Sequence, residues 1–106
     1  PGTSSAVIRE QVLRAREHQR RRFNGMRILY NSQMSSKQLR EFCRLDKESM
    51  NLMKNNVNEM GLSARAHDKI LRVARTIADL EDTPQIKYDH LLEAINYRQL
   101  DRQIFH

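Results

Sequence analysis

The sequence predicts an all-α protein: a small bundle of four to five helices preceded by a long basic helix. Three observations carry this. Apolar residues recur at three- and four-residue intervals in several separate stretches. Residues that start or stop helices stand at the ends of those stretches: Ser35, Asp46, Gly61 and Ser63. Three glycines and two prolines in 106 residues are too few for the many turns of an all-β chain. The length suits one domain with one modest core. The expected organisation is a linker helix and extended connector over 1–34, a helical domain over 35–98 and a polar tail over 99–106.

After a flexible lead-in, Ser5 is placed to cap a helix running to about Phe23. Ile8, Val12, Ala15 and Phe23 share one face, and Arg9, Arg14, Arg16, Arg20, Arg21 and Arg22 occupy the others. The clustered cations lie at the helix C-terminus, where the dipole favours them. So polar a helix packs through one narrow stripe. Asn24-Gly25 ends it, and residues 26–34 read as an ordered, extended connector with nothing nearby for a strand to pair with. Ser35-Ser36-Lys37-Gln38 fits a capping box and opens a short helix carrying Leu39, Phe42 and Cys43. Asp46 caps the next, whose Met50, Met53, Val57 and Met60 fall on one face and are expected in the core.

Gly61 suits the left-handed stop of that helix, and Ser63 the N-cap of the following one. Ala66, Ile70, Val73, Ala74 and Ile77 make its core face; Arg65, Lys69, Arg72 and Thr76 line an adjacent polar face. Asp82-Thr83-Pro84 terminates it, since the residue before proline avoids the helical region. Ile86 is expected to dock into the core. A last helix spans about Tyr88 to Arg98 and buries Leu91, Leu92 and Ile95.

Chemistry is sparse. Nineteen Lys and Arg against 13 Asp and Glu give a net charge of +6, which favours polyanionic or acidic partners. One cysteine forms no internal disulfide, so a cytoplasmic protein is expected. No apolar run approaches a bilayer span, so no membrane partner is expected. Gly2, Gly25 and Gly61 stand alone, without a glycine-rich phosphate loop. No HExxH or CxxC pattern occurs, and no metal site is expected. His90 suits a capping or core role, and Cys43 an inert buried thiol. The run Arg20-Arg21-Arg22 is a candidate nucleic-acid contact, which would make the chain a free-standing basic helical module with salt-dependent binding. The other candidate is the start of the helix after Gly61. A helix N-terminus offers free amides, Ser63 and Ala64 keep the entry small, and Arg65 adds a cation where the dipole prefers an anion. Ser63, Arg65 and Lys69 together fit a phosphate site; a solvated surface arginine fits the same spacing.

The runs Gly61-Leu62-Ser63-Ala64-Arg65-Ala66 and Ile70 through Leu80 resemble the C-terminal region of Mg-chelatase-like AAA+ ATPases. The likeness is to the competence-type ComM/YifB branch. Val7 through Glu17 is similar to that branch's basic linker helix, Asn31 through Ser35 to its Asn-Ala-x-Met-Ser element, and Leu45–Ser49 and His90–Arg98 also fit. His67 departs from the pattern, which has an aromatic there, and Ser32 replaces an alanine. The resemblance implies the helical lid that follows an ATPase core, cut from a larger protein. It assigns Arg65 as the sensor-2 arginine, acting only with that core. It implies ATP and Mg2+ as cofactors of the parent, none of them retained by this chain alone. The partners it implies are the N-terminal AAA+ core, neighbouring subunits of a ring, expected to be a hexamer, and DNA. A parent acting in recombination, branch migration or competence follows; a Mg-chelatase subunit metallating a porphyrin is the alternative within the family.

Overall fold

The computed structural model describes residues 4–105; the side chains of residues 57, 60 and 98–105 lie outside that description. It contains five α-helices, α1 (Ser5–Arg22), α2 (Ser36–Phe42), α3 (Lys47–Met60), α4 (Ala64–Leu80) and α5 (Tyr88–Phe105), and no strand among the described residues. The order is all-α as the periodicity requires. At the centre is α4, which packs against α1, α2, α5 and the connector after α1.

Local chemistry sets most helix ends. The Ser35 hydroxyl accepts from the Gln38 amide at 3.2 Å, and the Gln38 side chain accepts from the Ser35 amide at 2.9 Å, a complete capping box. Asp46 accepts from the Ser49 amide at 2.7 Å to start α3. These contacts hold the Asp46 carboxyl below the ordinary aspartate range. Gly61 (φ 61°) stops α3 in the left-handed region. At α5, buried His90 accepts the Lys87 amide on Nδ1 at 2.9 Å while its Nε2 meets Glu81, so it is a capping and core histidine.

The core gathers Phe23, Met34, Leu39, Met53, Ile70 and Leu91 with the small residues Ala74, Ala78 and Ala94. Phe23 and Phe42 meet edge to face, 5.6 Å between centroids. Ile86 docks there as expected.

Some expectations need correction. The cap of α1 is Ser4, whose hydroxyl accepts from Val7 at 3.3 Å, one residue before Ser5. Ile8 is half exposed because α1 meets the body only from about Ala15 onward; residues 4–10 are all exposed. Met50 is 54% exposed, since α3 turns Ser49 and Met53 inward instead; Val57 and Met60 fall outside the described side chains. Leu92 is 38% exposed and Ala94 takes the buried place, which rotates the inner face of α5. The connector also holds a short 3-10 turn, Asn31–Gln33, and α5 runs to Phe105, past the expected end at Arg98.

Candidate functional site

The start of α4 is built as its sequence requires. Gly61 turns the chain, Ser63 is extended, and its hydroxyl accepts from the Ala66 amide at 3.2 Å. The amides of the first turn that Ser63 does not satisfy remain available to an anion. No acidic residue stands in that turn. Arg65 and Lys69 are exposed, and among the described residues neither has a carboxylate partner. Ser63, Arg65 and Lys69 therefore lie together at one helix end, with Ser63 occupied as the cap and both cations exposed.

The polar face divides below them. Arg72 donates from Nε and Nη2 to the Met34 carbonyl at 3.0 and 2.8 Å, so it fastens the connector. Thr76 donates to the Arg72 carbonyl and accepts from Asn31. A cleft of about 530 Å³ runs along this face. Arg65, Lys69, Arg72, Thr76 and Ser32 form its polar side; Val73, Ile77 and the exposed ring of Tyr97 form its apolar side.

The other candidate, Arg20-Arg21-Arg22, splits. Arg20 and Arg21 are exposed and hold Glu17 at 2.5–3.1 Å. The Arg20 hydrogen bond, foremost, takes the Glu17 carboxyl down to about 2. Arg22 instead turns inward. Its guanidinium grips fully buried Asp79 with two bonds of 2.7 and 2.9 Å and also donates to Asn31 at 2.8 Å. Asn31 donates back to Asp79 at 2.8 Å, and its own amide donates to the buried Gln19 side chain at 2.9 Å. Arg75 completes the group, 3.2 Å from Asp79, and donates to the Thr83 and Pro84 carbonyls. Desolvation lowers the Arg75 pKa, and Asp79 opposes that. Arg22 is thus occupied in holding α1 to α4 and is not part of an exposed basic run.

Reasoning from sequence missed this buried group. One signal was available: Arg75 and Asp79 stand four residues apart, the spacing of an ion pair along a helix, where the polar face of α4 meets its apolar side. Cys43 is buried, and burial pushes its thiol up to about 11. Among the described residues no cluster of His, Cys, Asp or Glu is arranged to hold a metal ion, and no helix is long and apolar enough to cross a membrane.

A central helix with a capped, doubly cationic start, wrapped by α1, α2, α5 and a pinned connector, belongs to a defined class of helical domain. Residues 2–98 match the family described as magnesium chelatase, subunit ChlI C-terminal, and the chain belongs to that family. Its similarities place it in the ComM/YifB branch. It is 40% identical over 106 residues to YifB of Escherichia coli (strain K12), covering 100% of this chain and 20% of that protein. Over 105 residues it is 36% identical to YifB of Salmonella typhimurium, covering 99% and 20%. It is 40% identical over 101 residues to the competence protein ComM of Haemophilus influenzae, covering 95% and 19%. The chain spans about one fifth of the length of these relatives.

Proposed function

We propose that this domain is the C-terminal lid of an AAA+ ATPase, with Arg65 as its sensor-2 arginine. The observation that carries the reading is that Arg65 is exposed and, among the described residues, without a carboxylate partner at a capped helix start, in a molecule where Arg22, Arg72 and Arg75 are all engaged. The donor set suits a polyphosphate: two exposed cations and a helix N-terminus favour a multiply charged anion. The chain has no glycine-rich loop, so the other phosphate contacts and the Mg2+ ligands belong to the N-terminal AAA+ core of the parent. When bound, ATP supplies the phosphoryl group whose transfer drives ring motion. Arg65 orients its terminal phosphate and neutralises charge there, Lys69 adds a longer-range attraction, and Ser63 holds the helix end in place. The parent works as a ring, a hexamer in this reading, with neighbouring subunits as partners. The competence designation of the Haemophilus relative supports a parent that acts on DNA.

The test is Arg65→Ala in the full-length protein. A lost charged hydrogen bond is worth ~1.5–3 kcal/mol, so ATP turnover should fall roughly 10- to 100-fold, with weaker ATP-dependent ring assembly. Turnover and assembly both unchanged would show that Arg65 is a solvated surface residue.

A further inference from the structure

The cleft along α4 has a polarity that a phosphate site does not need. Its N-terminal half is cationic, through Arg65 and Lys69. One to two turns on, it becomes apolar, through Val73 and Ile77, with the Tyr97 ring of α5 as a side wall that is 58% exposed. Arg72, fixed on the Met34 carbonyl, makes the opposite wall rigid. Among the described residues no carboxylate lines the cleft. The span from Arg65 to Ile77 is ~18 Å along the helix, longer than one phosphate group requires. Half-buried Val73 and Ile77 and the exposed Tyr97 ring, beside the exposed cations, give the cleft the apolar centre and charged edge of a small docking groove.

We infer that this cleft receives a segment of a protein partner that is apolar at one end and acidic at the other. Apolar side chains of the segment pack between Val73, Ile77 and Tyr97, while its carboxylates reach Lys69. The complement is directional. A helix laid antiparallel to α4 puts its C-terminal, partially negative end against the cationic start of α4, so both its carboxylates and its dipole favour that orientation. A basic segment is excluded by charge, which rules out the exposed arginine-rich face of α1 from a second copy. The inference goes beyond the phosphate reading and does not rest on it, because Lys69, Val73, Ile77 and Tyr97 are enough to define the surface.

The experiment is a selection of random 12-residue peptides on the 106-residue chain, counter-selected against the double variant Lys69→Glu, Tyr97→Ala. Both positions are exposed, so the variant should retain the fold, which circular dichroism verifies. The expected outcome is enrichment of peptides that combine Leu, Ile or Phe with two or more Asp or Glu. Their affinity should fall at least tenfold in each single variant and weaken as salt is raised. No enrichment over the double variant, or enriched peptides without acidic residues, overturns the inference. So does saturable binding of an oligothymidylate probe that needs Lys69 and Tyr97 while no peptide binds, which would assign the cleft to nucleic acid. The turnover of Arg65→Ala in the full-length protein is read separately, so either idea fails without the other.

Discussion

Cys43 and Asp79 show what burial does to single groups here. With its pKa pushed up to about 11, the Cys43 thiol is ionised to only about one part in a thousand at pH 8. Iodoacetamide at pH 8 should label it only after the chain is unfolded in urea; labelling of the folded protein at the rate of a free thiol would contradict its burial. Among the described residues Asp79 is the single acid paired with two buried or half-buried guanidinium groups, Arg22 and Arg75. Asp79→Ala leaves both uncompensated and should cost ~3–5 kcal/mol in urea unfolding. That is a large part of the ~5–15 kcal/mol by which domains are stable. Arg22→Met should cost less, because Arg75 still neutralises Asp79 and the methionine can refill part of the volume.

Elements are decided by their ends, and these were the most legible parts of the sequence. Ser35 with Gln38, Asp46, Gly61 and Ser63 act on partners within four residues, so spacing alone identifies them. Gly61 has open space where a Cβ would stand, so Gly61→Ala is penalised only by its φ of 61° and should cost ~1–2 kcal/mol by thermal unfolding. The lowered Asp46 pKa predicts a pH effect of definite sign. Its contribution is fully present above the ordinary aspartate value and is lost as the pH falls through the lower folded-state value. Asp46→Asn, which can still cap, should lose less of its melting temperature between neutral pH and about pH 2 than the parent chain does. The Arg65–Thr76 face was legible because it is the one polar stripe on α4. The inner faces were less so. Met50 and Leu92 satisfy the helical period as well as their buried neighbours do, and only the angle at which α3 and α5 meet α4 selects between them. The pairing of Arg22 with Asp79 was illegible for another reason: the two are 57 residues apart, and no local rule links an arginine in one helix to an aspartate in another.

For the whole molecule, α1 has two unlike halves. Residues 4–10 are exposed throughout, whereas Ala15, Gln19, Arg22 and Phe23 pack against the bundle. Deleting residues 1–10 should shift the urea midpoint only slightly, while deletion through Phe23 should abolish cooperative unfolding, because it removes a core phenylalanine and strips Asp79 of its bidentate partner. The split also reaches the proposed function. Whatever pulls on the exposed half of α1 acts through Arg22 and Asn31 on α4, the helix whose first turn carries Arg65.

Asn31 ties these parts more tightly than its size suggests. Its amide and its side-chain oxygen are committed to Gln19 and Arg22 of α1, and its side-chain nitrogen to Thr76 and Asp79 of α4. Slow amide exchange in deuterium oxide should therefore come as a block. The last turns of α1, the 3-10 turn and the second half of α4 open in a single event, while the first turns of α1 exchange within the dead time.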